Sequence, residues 1–358
     1  MSTQKPTLRT RFLILSDTHS ALPFPDYTDH SFRYPLPTAD VLLHAGDLTS
    51  NGTLEQHRRA IELIRGVEAE LKIVIPGNHD VTLDDEYYAQ FPLLHGPRPQ
   101  YDAQHLEEIK TLYTGEAAKD AGIVYMVEGV ETFTLTNGAR FTVYASAYQP
   151  EFYNWAFGYP REVDRFNPTS SQAQNPPPDF SDENGGGIDI MLTHGPPRGI
   201  LDKTAPGEAV GCDHLWKAVQ RCKPRLHAFG HIHEGWGAVR RKWADADGEA
   251  GSDHLWKAVQ RWKPRLHALG DEGWGAARRI WAGADAEAPD MNVHSVQVPP
   301  PSELVEHMGV VVDATGLEHG SETLFVNASI MDLRYRPINA PWIVDLDLPT
   351  TSDRRPDM

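Results

Sequence analysis

The chain has 358 residues, 40% hydrophobic and 23% charged, which is ample for a large core and unlike a fibrous or disordered sequence. Its 33 basic and 50 acidic residues give a formal charge of −17, which argues against nucleic acid or an anionic membrane as the main partner. A small anionic substrate stays compatible, because bound cations dominate the local field at such a site.

Residues 11–17 (RFLILSD) and 41–47 (VLLHAGD) read as buried strands that each end in a carboxylate, with a Pro-, Tyr- and Asp-rich loop, 21–40, between them. Residues 53–69 have helical spacing, with Leu54, Ile61, Leu63, Ile64 and Val67 mostly on one side and Thr53 or Asn51 as cap. Strand 72–76 (KIVIP) follows and drops into Gly77-Asn78-His79-Asp80. Strands ending in polar loops around a helix predict a layered α/β fold with its site at the carboxyl ends of the strands. Residues 102–113 read as a helix, and 123–127, 130–135 and 141–146 as short strands with Asn137-Gly138 as a hairpin turn. The span 148–187, rich in Pro, Asn, Ser and Gly, reads as a surface excursion. Its aromatic front, Tyr148 to Trp155, either walls the site or merely covers the sheet. Strand 188–194 (IDIMLTH) ends in His194. Helix 213–222 takes Asp213 as cap, strand 225–231 (RLHAFGH) follows, and late strands at 323–330 and 342–348 close the core. No apolar stretch can span a bilayer and MSTQKPTLRT has no apolar signal region, so a cytoplasmic location with Cys212 and Cys222 reduced is expected. Cys212 and Cys222 could be metal ligands, but a capping-loop residue and a buried helix residue are the preferred readings.

Five polar clusters stand at strand ends: Asp17-Thr18-His19, Gly46-Asp47, Gly77-Asn78-His79-Asp80, Thr193-His194-Gly195 and Gly230-His231-Ile232-His233. Any one is weak, since such short motifs occur in ordinary turns; all five in this order point to a metal centre. Asp17 and His19 can reach one cation, Asp47 has two oxygens and can bridge two, and Asn78 offers a neutral amide oxygen. His194 arrives from another strand, and His231 and His233 can face different ions if the backbone turns between them. Mixed N/O donors suit Mn, Fe or Zn rather than Ca. Two such ions can hold a bridging hydroxide and clamp phosphoryl oxygens. His79 can point at a leaving group instead, with Asp80 orienting its ring. His44 and His227 read as buried, hydrogen-bonded structural histidines, and His30, His57, His95 and His105 as solvated. Trp236, Tyr148 and Trp155 are open between stacking on a substrate base and ordinary packing, and Arg198 between a phosphate contact and a surface ion pair.

One segment is duplicated. Residues 211–243, GCDHLWKAVQRCKPRLHAFGHIHEGWGAVRRKW, recur within 244–290 as GSDHLWKAVQRWKPRLHALGDEGWGAARRIW, in which Gly-His-Ile-His-Glu has shrunk to Gly270-Asp271-Glu272. Two copies are too few for a solenoid. Only the first carries both imidazoles, so 211–243 is expected in the core and 244–290 as an inserted, degenerate duplicate. The competing expectation puts the second copy in the strand slot and leaves the centre short of ligands.

The motifs LSDTHS, LLHAGDLT, IVIPGNHD, YQPEFYNWAFGYPR, MLTHGPPRGILD, RLHAFGHIHEGWG and LFVNASI resemble the calcineurin-like metallophosphoesterases. Within that superfamily they look like the metallophosphoesterase-domain-containing branch, similar to class III cyclic-nucleotide phosphodiesterases. The resemblance covers most of 11–243 and 323–348. It implies a single domain over 1–358 with a four-layer αββα sandwich, here carrying a duplicated helix-strand insert. It also implies two divalent transition-metal ions. Asp17, His19, Asp47 and His233 would hold one and Asp47, Asn78, His194 and His231 the other, with His79 as proton donor or transition-state stabiliser. The expected activity is hydrolysis of a small phosphoester, first a phosphodiester such as a cyclic nucleotide and next a phosphomonoester. A catalytically weak binding or scaffold protein, and a hydrolase of specialised metabolism acting on a non-phosphate bond, stay open, as does a homodimer.

Overall fold

A computed structural model of the chain describes residues 6–96, 98–180, 187–243, 293–295 and 309–350. The first half runs β1 (Thr7–Leu15), β2 (Val41–Ala45), α1 (Leu54–Gly66), β3 (Leu71–Ile75), α2 (Asp85–Gln90), α3 (Ala103–Thr114), α4 (Glu116–Asp120), β4 (Ile123–Tyr125), β5 (Glu128–Thr134) and β6 (Arg140–Ser146). There follow β7 (Gln149–Pro150), β8 (Gly158–Tyr159), β9 (Ile190–Thr193), α5 (Asp213–Cys222), β10 (Leu226–Phe229), β11 (Gly237–Lys242), β12 (Val293–Ser295), β13 (Val310–Asp313), β14 (Glu322–Asn327) and β15 (Trp342–Pro349).

Two sheets result. One has the order β13-β15-β1-β2-β3-β4 and is parallel except where β1 meets β15; the other has the order β12-β11-β14-β10-β9-β6-β5 and is parallel through β14, β10, β9 and β6. The alternation of side chains along each strand sorts residues into three cores. Phe12, Ile14, Leu43 and Ile73 of the first sheet meet Val143, Leu192, Ala228 and Val326 of the second. Leu13, Leu15, Leu42 and Val74 turn outward onto Ile61 and Ile64 of α1 and Ile109 of α3. Tyr144, Met191, Phe229 and Phe325 turn outward onto Leu215 and Val219 of α5. The result is helix, sheet, sheet, helix: the αββα sandwich.

Local signals explain most boundaries. Thr53 caps α1 through a reciprocal box, its hydroxyl accepting from Gln56 N at 3.2 Å while Gln56 Oε1 accepts from Thr53 N. The cap of α5 is Cys212 rather than Asp213. Cys212 is the last extended residue, its Sγ accepts from Leu215 N at 3.3 Å, and Asp213 already lies in the first helical turn. The first copy of the repeat supplies α5, β10 and β11, with β10 between β9 and β14; the duplicate, 244–290, lies outside the described residues. Of the span 148–187, residues 148–180 and 187 are described; in its front only Gln149 is buried, with Phe152 and Tyr153 exposed, whereas Ala156, Phe157, Tyr159 and Phe166 just after it are buried. No helix among the described residues is long and apolar enough to cross a membrane.

His57 corrects one expectation. It is buried, not solvated, because α1 turns it inward between the Tyr113 hydroxyl and the Thr82 hydroxyl, each at 2.8 Å. Burial pushes its ring from 6.5 down to about 3. The folded protein thus holds it neutral while the unfolded chain takes up a proton. Its stabilisation is complete above about 6.5 and is lost as pH falls toward 3, at about 1.4 kcal/mol per pH unit. Denaturant unfolding at pH 6.5 and pH 5 should show the wild type losing about 2 kcal/mol more than His57→Gln.

Candidate metal centre

The carboxyl ends of β1, β2 and β3 face those of β9 and β10, and the loops that leave them are tied to one another through main chain. Asp17 N donates to the Gly46 carbonyl at 2.9 Å, His19 N to the Asp47 carbonyl at 2.9 Å, and Gly230 N to the His194 carbonyl at 3.0 Å. The backbone is forced to hold this shape. Asp17, His19, Asp47 and His231 all have left-handed φ, at 52°, 45°, 52° and 66°. Each such residue costs about 1–3 kcal/mol, which marks a site whose geometry is imposed by its surroundings. Two glycines permit the close approach. A Cβ on Gly230 would sit 2.0 Å from Asp17 Oδ2, and one on Gly77 would sit 2.4 Å from Asp47 Oδ1.

All seven side chains singled out as ligands, Asp17, His19, Asp47, Asn78, His194, His231 and His233, come together here. The nitrogen and carboxylate atoms of Asp17, His19 and His233 form one tight group, and those of Asp47, His194 and His231 another, each within 4.8 Å. Asp47 stands between them: Oδ2 lies 3.6 Å from His19 Nε2 and Oδ1 lies 3.4 Å from His194 Nε2. Asn78 Oδ1 is 2.8 Å from His194 Nε2, and Asp17 Oδ1 is 3.5 Å from His233 Nε2. The imidazoles are oriented from behind. A carbonyl only accepts, so Nδ1–H of His19, His194 and His233 must donate to the Thr49, Ala45 and Asp332 carbonyls, at 3.1, 2.9 and 3.2 Å. That leaves the Nε2 lone pairs of His19 and His194 aimed at the centre, the arrangement metal-binding histidines use, while His233 Nε2 faces Asp17.

The charge balance asks for a cation. Burial, and after it the charge of Asp17, pushes the Asp47 carboxyl well above its usual range. Burial also opposes an ionised Asp17, but the hydrogen bond and charge of His233 outweigh it and hold that carboxyl below the ordinary range. Burial holds His19, His194 and His231 below the usual imidazole value, hence neutral and able to ligate. His19 Nε2 is buried with no hydrogen-bond partner. A hard-to-intermediate divalent cation satisfies the carboxylates and that orphaned nitrogen together, so the donor set fits one.

His79 sits beside the group. Its Nδ1–H donates to the Ser50 carbonyl at 2.7 Å, its main-chain N–H donates to Asp47 Oδ1 at 2.9 Å, and burial pushes its ring down to about 4. A ring nitrogen also lies within 4.8 Å of donor atoms on His19 and Asp47. The expected partnership with Asp80 is absent. Asp80 turns away and accepts from Gly77 N at 2.7 Å, Leu48 N at 3.1 Å, Thr49 N at 2.8 Å and the Thr49 hydroxyl at 2.7 Å. The physical reason is that the turn at residues 77–80 brings the carboxylate against three buried main-chain donors that it alone accepts from, so Asp80 joins two ligand loops and leaves His79 to Ser50.

The remaining histidines divide as their surroundings dictate. His44 Nε2 pairs with the Thr18 hydroxyl at 3.0 Å and His227 Nε2 with the Thr193 hydroxyl at 2.9 Å, both deep in the core. His95 is half-buried against Trp155, His105 pairs with Asp102 at the surface, and His30 stacks on Phe24. Trp236 is partly buried and packs against Trp342 at the edge of the core, and Tyr148 lies under the Arg165 guanidinium. Arg198 is exposed.

The centre opens into a cavity of about 300 Å³ lined by Asn78, His79, Phe152, Arg161, His231 and Tyr335. That is the lower end of the range for small-molecule sites. Phe152 belongs to the aromatic front read as a possible wall of the site, whereas Arg161 and Tyr335 had no such reading from sequence. Arg161 donates to the Gly211 and Val210 carbonyls at 2.8 Å each. Phe152 lies 6.3 Å from His231, and Tyr335 packs edge-on to His19 and His233 with ring centres 4.9 and 5.2 Å apart. Phe152 and Arg161 stood in the aromatic run YQPEFYNWAFGYPR, whereas the Tyr335 loop carries no sequence signal. A larger, more open groove of about 610 Å³, lined by Arg9, Arg11, Glu68 and Glu70, holds none of the clustered donors.

Residues 10–235 match the model of the calcineurin-like phosphoesterase family. The chain is also similar to metallophosphoesterase domain-containing protein 1 of Homo sapiens and of Mus musculus, at 35% identity over 245 residues in each case, 66% of this chain and 64% of theirs. It therefore spans somewhat less than two thirds of those relatives. A probable rhamnogalacturonate lyase C of Emericella nidulans is 32% identical over 228 residues, 63% of this chain but 17% of that protein.

Proposed function

This chain belongs to the calcineurin-like phosphoesterase family, and from that premise we propose that it hydrolyses a small phosphoester, with phosphodiesters such as cyclic nucleotides as the first substrate class. The observation that supports this most is the pairing of two donor groups about Asp47 with His79 alongside, at the floor of a small cavity. Divalent ions, with Mn, Fe or Zn the best match to these donors, supply Lewis-acid stabilisation of phosphoryl charge when bound. Asp17, His19, Asp47 and His233 would hold one, and Asp47, Asn78, His194 and His231 the other.

The chain's own residues do the rest. His79, tied by Nδ1 to Ser50, presents Nε2 toward the cavity. Burial disfavours its charged form, and an anionic phosphoryl group opposite the ring restores it, so that Nε2–H can be given to the departing oxygen. Phe152 and Tyr335 supply apolar walls that shed water from the bound ester. The negative surface keeps polyanions away, and we place the protein in the cytoplasm because Cys212 and Cys222 are both buried free thiols.

The test is a screen of aryl phosphomonoesters, aryl phosphodiesters and cyclic nucleotides with added Mn²⁺. Diesters should turn over, and His79→Ala should lose about 10²–10⁴-fold in kcat with metal content unchanged. Loss of metal in His79→Ala would instead make His79 a ligand. No turnover of any ester, with ester-dependent thermal stabilisation, would replace the enzyme by a binding protein.

A further inference from the structure

Residues 151–157 join β7 to β8 in a tightly constrained loop. Tyr153, Asn154 and Phe157 have left-handed φ of 47°, 55° and 54°, a conformation that side-chain-bearing residues keep only where the surroundings fix it. Here Asn154 N donates to Glu151 Oε1 at 2.7 Å, Phe157 N to Asp84 Oδ2 at 2.8 Å, and Gln149 Nε2 to the Ala156 carbonyl at 2.9 Å. Ala156 and Phe157 are buried behind the loop.

The consequence is that one side chain, Trp155, is held between two imidazoles. Its ring centre lies 4.0 Å from that of His79, tilted by 30°, and 3.8 Å from that of His95, tilted by 13°. Both outer rings are tied to main chain: His79 Nδ1–H donates to the Ser50 carbonyl at 2.7 Å, and His95 Nε2–H donates to the Asn154 carbonyl at 2.8 Å. The His79 ring also stands nearly perpendicular to that of His19, with ring centres 4.7 Å apart. The His79 ring is therefore fixed in rotation by Ser50 and in tilt by the indole.

We propose that Trp155 is a positioning residue for His79. It acts through that ring alone, keeping Nε2 in line with the departing oxygen and denying the imidazole the rotations that would break its bond to Ser50. This rests on the reading of His79 as proton donor to the leaving group. Small misplacements of a reacting group can cost about 10²-fold in rate, so the stack has a measurable consequence.

A proton donor matters most when the leaving group is poor. The experiment compares phenyl and nitrophenyl phosphodiesters, read as kcat, in wild type, His79→Ala, Trp155→Leu, Trp155→Phe and the Trp155→Leu/His79→Ala double variant, with metal content and melting temperature measured alongside. The expected result is a loss in Trp155→Leu of about tenfold to a hundredfold on the phenyl ester and less than about threefold on the nitrophenyl ester. Metal content and KM should stay unchanged, Trp155→Phe should recover most of the loss, and the double variant should be no worse than His79→Ala. Equal losses on both esters, or losses that add in the double variant, overturn the proposal. If Trp155→Leu does not fold, His95→Ala, which removes the ring backing the indole, answers instead: the same preference in smaller degree supports the proposal and an unchanged ester ratio overturns it. Should His79→Ala itself show no leaving-group preference, the reading of His79 fails and not merely the role of Trp155.

Discussion

Asp47→Asn is expected to change sign with metal. With Mn²⁺ in excess the variant should be less stable than wild type and its activity should fall by more than the roughly 10²–10³-fold that loss of one electrostatic contact costs. With metal removed by EDTA it should be the more stable of the two. The argument begins with where its two oxygens point: one faces His19 at 3.6 Å and the other His194 at 3.4 Å. An amide has a single oxygen, so one of the two donor groups loses its anion and elemental analysis should find fewer ions per chain. The wild type gains about 2.7 kcal/mol from metal at a hundred times its dissociation constant, and the variant gains less. Without metal the balance reverses, because the native carboxyl is buried beside Asp17 and its pKa is pushed up from 3.8. An acid raised in the folded state adds a cost that is absent below its unfolded value and grows as pH rises above it. The metal-free stability difference in favour of Asn should therefore widen from pH 5 to pH 8. Equal destabilisation with and without metal would mean that Asp47 only braces the loop through His79 N.

How far this was legible in the sequence follows from what each signal encodes. Strands such as RFLILSD and RLHAFGH are apolar runs closed by a polar cluster, and burial on both faces leaves little alternative for them. The structure accordingly has β1 and β10 there, with Asp17 and His231 just past their ends. Strand ends are short, so ligands placed at them converge once the sheet order is right; no side-chain geometry needed to be known. Side chains whose partner is set by the path of a turn were not legible. Asp80 follows His79 directly, yet adjacent residues on a tight turn point apart, and its partners Leu48 and Thr49 lie on the neighbouring loop. His57 looks polar in sequence because Gln and Arg flank it, whereas on a helix only positions three and four away share its face. Tyr335 reaches the site from a loop after β14 whose position depends on how β14 and β15 cross the two sheets. Trp155 stands in an aromatic run that reads equally as wall or as cover; only coordinates distinguish stacking on His79 from stacking on a ligand.

Asp80→Ala should lose about 3 kcal/mol or more of stability measured in EDTA, where metal binding cannot contribute. Asp80 lies between the loop that carries Asp47 and the loop that carries Asn78. Oδ2 accepts from Gly77 N and Leu48 N, and Oδ1 accepts from Thr49 N and from the Thr49 hydroxyl. Removing the carboxylate leaves three buried main-chain donors unpaired, each costing about 1–3 kcal/mol, against which stands the relief of a buried charge. That charge is itself disfavoured: burial pushes the carboxyl from 3.8 up to about 6, with the four donors pulling the other way. Asp80→Asn sheds the charge and keeps one oxygen, so it should fall between wild type and Ala. Because the two loops then drift apart, metal affinity in both variants should drop by about 10–100-fold, as when the support behind a ligand is removed, and excess Mn²⁺ should restore much of the activity. A residue that oriented His79 directly would behave in the opposite way, with activity lost at every metal concentration while stability in EDTA stayed within about 1 kcal/mol of wild type. The rescue by metal thus decides whether Asp80 serves the loops or the proton.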